Sequence, residues 1–391
     1  MYVYQLSNEL AARGHHVEII HCIDSYRVVA RGETLRAAND HPNIIVHRLE
    51  SGWGALSPLV THQTGYPLFK TKAIQKILAC GFDVIHYHNI SLVGGPKVLE
   101  MGDAVKLYTT HEYWLVCPTN VLFRYDGVAC EEKKCLRCTL AYHRPPQWWR
   151  YTPMVQDAVK HLDMLLHPSQ FCMEKHRAMG VRAPATVLPY FHTTPEKFSE
   201  PPPRHNGAPY FIFVGRLELL KGAHTLIPLF RNYPRARLVI VGEGSQLPHL
   251  KELAAGSRNI EFRGWLEHSQ LSSLYRNATA LLVPSLCYES GPLVIVEAYC
   301  NRTPIIGRSL GSIPQLLQET GGGITYTNDA SLRAAMDELL DNPTQRDEMG
   351  ERGYEASQRL FTPDAHLARY FEIIETVMEK KTKTLRVFGN P

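Results

Sequence analysis

The sequence has no long hydrophobic run. No uninterrupted apolar stretch approaches the ~20 residues that a membrane-spanning helix needs. The first residues also lack a charged segment followed by an apolar one, which is the pattern of a secretory signal. We therefore expect the protein to be cytoplasmic.

Charge of one sign is also lacking. The 42 basic and 38 acidic residues nearly balance, with a formal net charge of +4, so a nucleic-acid partner is not expected. No short internal repeat is present. A chain of 391 residues that is 44% hydrophobic and 20% charged is typical of a globular protein with two or three domains.

Short apolar segments alternate with helical or loop segments along the first half of the chain. This alternation favours a parallel sheet with crossover helices, hence the α/β class. A proline-rich stretch at residues 201–209 breaks the pattern and is typical of a linker, and a second alternating set begins at Tyr210. The strands predicted before the linker are residues 17–21, 44–48, 84–87, 104–109, 164–167 and 186–188.

Two carboxylates stand eight positions apart after the apolar run at residues 280–284. Pro292 lies between them, at a place where the first turn of a helix accepts proline. Glu289 would then precede the helix and Glu297 would lie about a turn and a half inside it. Free N–H groups at a helix entrance suit a phosphate, and carboxylates accept hydrogen bonds from hydroxyls. The alternative is a solvated loop acid and an exposed helix face.

Two cations follow the apolar run at residues 210–214. Arg216 supplies a planar fork for phosphate oxygens and Lys221 a point charge. Together they could clamp a diphosphate and neutralise a leaving group that gains negative charge. The alternative is two ordinary surface cations near turns.

Several ordered motifs resemble one family, the retaining nucleotide-sugar glycosyltransferases of family 4, which have the GT-B fold. They are VGRLELLKG at 214–222, VIVGEGS at 239–245, FRGW at 262–265, VPSLCYESGPLVIVEA at 283–298 and GSIPQ at 311–315. The resemblance implies two Rossmann-like, doubly wound domains facing across a cleft. Their expected limits are 1–200 for the acceptor side, 207–358 for the donor side and 359–391 for a final helix returning to the first domain.

The resemblance also implies roles. Arg216 and Lys221 would hold the diphosphate of a UDP- or GDP-type sugar donor, and Glu297 its ribose hydroxyls. Glu289 would face the transferred sugar. Catalysis would need no metal and no protein nucleophile, and the acceptor would be a sugar or a lipid-linked glycan. Further donor contacts would come from Gly242, Gly244, Trp265, Leu266, Ser290, Gly291, Pro292 and Leu293, whereas Gln315 stands where the family often carries Glu.

The beginning of the chain departs from the family. Residues 1–13 are predicted to form the first crossover helix, with Gly14 as its stop and residues 17–21 as the next strand. The family's first strand and glycine-rich turn are missing, so we expect an N-terminally truncated chain. By resemblance His111 would contact the donor sugar, with Glu112 orienting it. The alternative is a histidine that bonds only local backbone.

Four cysteines form a second signal in an insertion at about residues 112–150 of the first domain. Their spacing, C-x12-C-x4-C-x2-C, suits a closed tetrahedral zinc site, which would be structural. Two disulfides, free thiols and an iron–sulfur cluster are the alternatives, and cytoplasmic chemistry disfavours disulfides. The predicted ligands are Cys117, Cys130, Cys135 and Cys138.

An aromatic and basic cluster follows at residues 142–151. Such side chains can settle at a lipid headgroup layer or stack on a sugar, so peripheral contact with the inner face of the membrane is one hypothesis. Packing of the tryptophans over the cysteine-rich insertion is the other.

Three functions are compatible with these patterns. The first is retaining sugar transfer from a nucleotide diphosphate sugar to a hydroxyl, in polysaccharide or lipid-linked glycan assembly. The second is a GT-B hydrolase, epimerase or phosphorylase, and the third is a noncatalytic, truncated binding or scaffold protein. The sequence leaves the base, sugar, acceptor and oligomeric state open.

Overall fold

The computed structural model describes residues 2–30, 41–193 and 207–388, and these form two compact units. Most of the predicted linker, residues 201–206, lies outside the described residues. The first unit comprises Met1–Asn120, Lys134–Leu188 and Leu367–Pro391, and the second comprises Val121–Lys133 and Pro189–His366.

The first unit contains two parallel sheets. One pairs β1 with β2, and the other has the order β3-β4-β5-β6. All six predicted strands are confirmed to within a residue at either end. The strands are β1 (Val17–Cys22), β2 (Ile44–Leu49), β3 (Val84–Tyr87), β4 (Val105–Thr109), β5 (Met164–His167) and β6 (Ala185–Val187).

Helices connect these parallel strands, as parallel pairing requires. The first helix ends before Gly14, whose φ of 89° is a left-handed value that suits glycine, so the predicted stop is confirmed. Short 3₁₀ turns span Pro96–Glu100 and Trp148–Tyr151. The helices are α1 (Tyr2–Ala12), α2 (Ile23–Ala30), α3 (Leu56–Thr64), α4 (Thr71–Leu78), α5 (Cys135–Ala141), α6 (Met154–Val159) and α7 (Gln170–Ala178).

The second unit has one six-stranded parallel sheet, ordered β12-β11-β10-β7-β8-β9. Its three central strands are apolar apart from the first residue of one of them, Arg237, because helices cover both faces of a parallel sheet. The strands are β7 (Tyr210–Val214), β8 (Arg237–Val241), β9 (Ile260–Gly264), β10 (Ala280–Val283), β11 (Ile305–Arg308) and β12 (Gly323–Tyr326).

The helices of this unit follow the same alternation, with one 3₁₀ turn at Leu219–Lys221. They are α8 (Ala223–Arg231), α9 (Leu247–Leu253), α10 (His268–Asn277), α11 (Leu293–Cys300), α12 (Ile313–Thr320), α13 (Asp329–Asp341) and α14 (Pro343–Leu360).

The order of the second sheet reverses at β7. This strand is followed in sequence by β8 on one side, whereas its other neighbour is β10. The loops that leave β7 and β10 therefore diverge at the carboxyl end of the sheet, which is where open α/β sheets bind ligands. The predicted cations and Glu289 all lie in these two loops.

One segment divides differently from the predicted domains, and the last helix runs from one unit into the other. Val121–Lys133, predicted within the insertion of the first domain, belongs to the second unit and contains an antiparallel bridge between Phe123 and Ala129. The last helix, α15 (Pro363–Phe388), begins in the second unit and belongs to the first from Leu367 onwards. Within the described residues, no helix combines the length and the apolar character needed to cross a membrane.

Candidate functional site

Backbone hydrogen bonds join the loops at the carboxyl end of the second sheet. Leu217 N donates to Glu243 O at 2.8 Å, and Gly242 N donates to Gly264 O at 2.7 Å. The loops after β7, β8 and β9 are thus held against one another. Trp265, directly after Gly264, has 60% of its surface exposed at this end of the sheet.

Close backbone approach explains two glycines in these loops. A Cβ at Gly242 would lie 2.0 Å from Gly215 O, and its φ is 131°. A Cβ at Gly222 would lie 2.1 Å from Pro284 O, and its φ is 76°. Each position therefore needs glycine both for space and for its left-handed backbone. Gly222 brings the loop after β7 against the end of β10.

An ion pair joins these two loops. Lys221 Nζ donates to Glu289 Oε1 at 2.7 Å, and both side chains are mostly buried, with 24% and 12% exposed. The Ser285 hydroxyl donates to the same oxygen at 2.6 Å. The carboxylate is therefore held at a fixed place beside an ammonium group, at the point where the sheet order reverses.

Arg216 lies exposed at the same end of β7. The pKa of the Cys287 thiol is raised to about 12, first by burial and then by the charge of Glu289, while the charges of Lys221 and Arg216 oppose the rise. The charges of both cations and of the carboxylate therefore act on the pKa of one buried thiol. Sequence reasoning missed Arg308, the last residue of β11, whose Nε donates to Pro284 O at 3.3 Å. An arginine at the end of a short apolar strand was the sequence feature that could have identified it.

Glu297 lies in α11, five residues after Pro292, which immediately precedes the helix. The Tyr275 hydroxyl donates to Glu297 Oε2 at 3.1 Å. Burial raises the pKa of Glu297, and the hydrogen bond from Tyr275 opposes that rise. Tyr275 was also missed, because α10, which carries it, shows no motif that points to Glu297.

The predicted anion-binding backbone lies between Glu289 and α11. Ser290 and Gly291 form the loop that enters this helix, and Leu293 is its first residue. This loop also borders Gly311, where a Cβ would lie 3.1 Å from Glu289 N. The structure therefore gathers Arg216, Lys221, Glu289 and the 290–293 backbone around the loops after β7 and β10.

His111 lies in the first unit, directly after β4. Its Nε2 is 2.9 Å from Nδ1 of His88, and the Tyr2 ring packs edge-on at a centroid distance of 5.1 Å. Burial lowers the pKa of His111 to about 4 and that of His88 well below its ordinary value. Both imidazoles are therefore neutral near pH 7. His88 follows β3, so the same strand-end argument that selected His111 could have found it.

The predicted zinc ligands are distributed over both units. Cys117, Cys135 and Cys138 belong to the first unit, and Cys130 to the second. Among the described residues, one group of at least three potential metal ligands has its ligand atoms within 4.8 Å of one another, and it is His167, Cys172 and His176. The zinc site at the four cysteines stays a prediction.

The two adjacent tryptophans of the aromatic cluster have opposite environments. Trp149 is buried, its Nε1 donates to His62 O at 2.8 Å, and the Arg150 guanidinium stacks 4.6 Å from its ring centre. Trp148 has 62% of its surface exposed and lies 6.2 Å from the exposed ring of Tyr151. Packing therefore explains Trp149 and Arg150, and leaves Trp148 and Tyr151 at the surface.

Comparison with known protein families gives two adjoining matches. Residues 1–194 match the model described as Glycosyltransferase Family 4, and residues 195–356 match the model described as Glycosyl transferases group 1. Together they cover the chain from its first residue to α14.

Curated relatives resemble part of the chain. A glycogen synthase of Mycobacterium tuberculosis is 34% identical over 163 residues, which are 39% of this chain and 38% of the relative. The D-rhamnosyltransferase WbpZ of Pseudomonas aeruginosa is 30% identical over 164 residues, covering 40% of this chain and 42% of the relative. The chain thus spans well under half the length of the relatives it matches first.

Solved structures resemble nearly the whole chain. A sucrose-phosphate synthase from Thermosynechococcus elongatus superposes with a TM-score of 0.72 at 19% identity, over 97% of this chain and 93% of that one. Anabaena Alr3699/HepE in complex with UDP gives 0.63 at 14% identity, over 95% and 96%. With two parallel-sheet units and two adjoining family matches, the chain belongs to the group 1 and Family 4 glycosyltransferases and has the GT-B fold.

Proposed function

We propose that this protein is a retaining glycosyltransferase that transfers a sugar from a nucleotide diphosphate sugar to a hydroxyl group of a glycan or lipid-linked acceptor. The observation that carries the proposal is the Lys221–Glu289 pair at the reversal point of the second sheet, with Arg216 exposed beside it. The cations suit a ligand that carries several negative charges, and the carboxylate suits one that carries several hydroxyl groups. A nucleotide sugar has both.

The donor binds to residues 207–358 in this proposal. Arg216 and Lys221 hold the diphosphate, Glu297 accepts hydrogen bonds from the ribose hydroxyls, and Glu289 and the 290–293 backbone face the sugar and its phosphate. Gly242 and Gly244 allow the nucleotide to approach the backbone, and Trp265 with Leu266 lies at the base. The similarity to a fold that is seen with UDP supports a UDP-type donor, with GDP as the alternative.

The chemistry rests on charge and position. As the bond between the sugar and the phosphate breaks, negative charge grows on the phosphate oxygens, and two fixed cations stabilise that charge. The departing phosphate can itself accept the proton of the attacking hydroxyl on the same face, so the anomeric configuration is retained without a protein nucleophile. Neither a catalytic metal nor a covalent glycosyl intermediate is invoked.

His111 lies in the first unit, and in this proposal it acts from an acceptor side formed by residues 1–200. Its neutral imidazole, held by His88, would donate or accept a hydrogen bond at the donor sugar as positive charge develops on the sugar ring. This role is supported by the family resemblance and by the neutral state that burial imposes.

Calorimetric titration of UDP, GDP and ADP into the whole chain tests the donor site. We expect one of the three nucleotides to bind. Glu297→Ala should weaken its binding roughly 10- to 100-fold, because charge-assisted hydrogen bonds to the ribose are lost. Glu297→Gln keeps an acceptor for the Tyr275 hydroxyl but removes the charge. It therefore distinguishes loss of the ribose contact from a disturbance of the local structure. Glu355→Gln, an exposed carboxylate on α14, is the matched control. A folded chain that binds none of the nucleotides would refute the donor site.

Product analysis tests the reaction. Incubation of the bound nucleotide's sugar conjugates with and without candidate glycan acceptors should give a new glycosidic bond only when acceptor is present. Proton coupling at the anomeric carbon should show the configuration of the donor. Free sugar formed equally without acceptor would instead indicate a hydrolase.

We also propose that the first unit touches a membrane surface through Trp148 and Tyr151. These exposed rings adjoin α3, where Leu59 is 49% exposed, and amphipathic aromatics favour the headgroup layer. Sedimentation with anionic liposomes should decrease for Trp148→Ala and Tyr151→Ala. Trp265→Ala, which removes an equally exposed tryptophan of the second unit, should sediment like the wild type. No sedimentation of the wild type would refute the contact.

A structural zinc ion held by Cys117, Cys130, Cys135 and Cys138 is a further part of the proposal. Cys135 and Cys138 are the first and fourth residues of α5, so one short helix presents the C-x-x-C pair. Metal analysis of the wild type and of Cys135→Ser/Cys138→Ser should show the loss of one zinc equivalent. Equal zinc in both proteins would refute this assignment.

A further inference from the structure

The first unit contains a buried group of two imidazoles and one thiol that sugar transfer does not use. His167 is the last residue of β5, and Cys172 and His176 lie in α7, the helix that follows. Their exposed fractions are 1%, 0% and 0%. Ser169 caps this helix by accepting a hydrogen bond from Cys172 N at 3.2 Å, which fixes the direction in which the helix leaves the strand.

The spacing brings the three ligand types together. Cys172 and His176 are four residues apart, so they share one face of α7. One nitrogen of each imidazole and the Cys172 sulphur lie within 4.8 Å of one another. Tetrahedral zinc ligands, bonded at about 2.0–2.3 Å, lie about 3.3–3.8 Å apart. The three side chains would therefore have to move closer together to share one ion.

The hydrogen bonds of His176 leave one nitrogen for a ligand. Nδ1 lies 2.8 Å from Cys172 O, a carbonyl that can only accept, so Nδ1 carries the hydrogen. The lone pair is then on Nε2, which is buried and has no hydrogen-bond partner. A histidine that donates one N–H to a backbone carbonyl and keeps the other nitrogen bare has the arrangement of a metal ligand.

Burial also keeps both imidazoles in the state that binds metals. It lowers the pKa of His176 to about 4 and that of His167 to about 2, so both rings are neutral near pH 7. Burial raises the pKa of Cys172 to about 12. A bound cation would displace this thiol proton to solvent and form the metal–sulphur bond.

We propose that His167, Cys172 and His176 form a buried binding site for a thiophilic d¹⁰ metal ion, Zn²⁺ or Cu⁺. Thiolate and imidazole are the ligands that both ions prefer. The two differ in the charge they bury: with one thiolate and two neutral imidazoles, Cu⁺ gives a neutral complex and Zn²⁺ a complex of charge +1. The site is separate from the four cysteines predicted to hold zinc.

The bound ion would fasten the end of β5 to α7, and Thr110, which follows β4, contacts two of the ligands. The Thr110 hydroxyl lies 2.8 Å from His167 Nδ1 and 3.5 Å from the Cys172 sulphur, and Thr110 N donates to Leu166 O at 3.0 Å. Thr110 immediately precedes His111. The metal is thus structural, and it steadies the backbone that presents His111.

The test uses the whole chain in a Cys135→Ser/Cys138→Ser background, so that the predicted four-cysteine site cannot hold zinc. Protein from a medium supplemented with Zn²⁺ or Cu⁺ is analysed for metal after gel filtration. We expect about one equivalent of one of the two ions per chain, and at least a tenfold loss on adding Cys172→Ser or His176→Gln. Cys22→Ser, which alters another buried thiol of the first unit, should keep the metal.

A cobalt measurement does not depend on the folding of core variants. In the same background, Co²⁺ should give a thiolate-to-cobalt charge-transfer band and the d–d bands of a four-coordinate ion. A thiophilic chelator should also lower the Tm of this background protein. Absence of metal and of the cobalt bands in folded background protein would overturn the proposal, as would metal that persists in both Cys172→Ser and His176→Gln.

Discussion

Lys221 and Glu289 are 68 positions apart in sequence, yet the ammonium nitrogen of one lies 2.7 Å from a carboxylate oxygen of the other. The pair joins the loop after β7 to the loop after β10, on the two sides of the point where the sheet order reverses. Because both side chains are mostly buried, water and salt screen their attraction less than in an exposed ion pair. The arriving diphosphate would find its cation already placed.

Lys221→Ala should weaken binding of the preferred nucleotide diphosphate by roughly 10- to 100-fold, because a charge-assisted hydrogen bond to phosphate is lost. Lys221→Arg should recover part of that loss, since the charge returns in a different shape. Calorimetric titration gives both values. Lys251→Ala, an exposed lysine on α9, is the matched control. Unchanged affinity in Lys221→Ala would show that this ammonium group does not contact phosphate.

Gly242→Ala should destabilise the second unit by at least about 2 kcal/mol, because a positive φ is costly with a side chain and a Cβ would overlap Gly215 O. The loop that it displaces borders the nucleotide in the proposed donor site, so nucleotide affinity should fall as well. Urea unfolding measures the first effect and calorimetry the second. Gly207→Ala has open space and should be neutral in both measurements.

Much of this site could be predicted from local patterns. Arg216, Lys221 and Glu289 each follow a short apolar run, and parallel strands bring such positions to one end of a sheet. What the pattern lacks is the identity of partners across the sheet. Tyr275 contacts Glu297 only because α10 and α11 pack side by side in a particular register, which no spacing in the sequence reveals.

The first unit shows the same limit. Trp148 and Trp149 are neighbours in a 3₁₀ turn, one exposed and one buried, and two residues contain no periodicity from which that difference could be predicted. Likewise, Val121–Lys133 belongs to the second unit because of tertiary contacts, which the local sequence of a loop does not reveal.

The pKa of Glu297 leads to a prediction about stability and pH. Because burial raises this pKa above the ordinary value of 4.5, the folded protein keeps the proton at pH values where the unfolded chain has lost it. The free energy of unfolding therefore falls as the pH rises from about 4.5 through the raised pKa. Glu297→Gln removes this dependence.

The expected result is that Glu297→Gln gains stability relative to the wild type as the pH rises, with the difference reaching a plateau above the raised pKa. Urea unfolding at a series of pH values measures the difference. The nucleotide affinity of the wild type should rise over the same pH range in which its stability falls, since the ionised carboxylate is the stronger acceptor for ribose hydroxyls. A stability difference that is constant with pH would show that Glu297 is not protonated in the folded protein over this range.

His88 should act as a positioning residue for His111. His88→Ala removes the 2.9 Å contact to His111 Nε2, and a misplaced imidazole should lower kcat by roughly tenfold or more. The Kd for the nucleotide should stay within about twofold of the wild type, because every nucleotide-binding residue proposed above is in the second unit.

Steady-state release of the nucleotide from its sugar conjugate gives kcat, and calorimetry gives Kd. His88→Gln, which can still hydrogen-bond the imidazole, should recover part of kcat, whereas a purely structural role would not distinguish Gln from a shape-matched Leu. His249→Gln, a half-exposed histidine on α9, controls for loss of an imidazole elsewhere. If His88→Ala kept full kcat, His111 would either be oriented by another group or take no part in the reaction, and His111→Ala separates these outcomes because only the first predicts a loss of turnover.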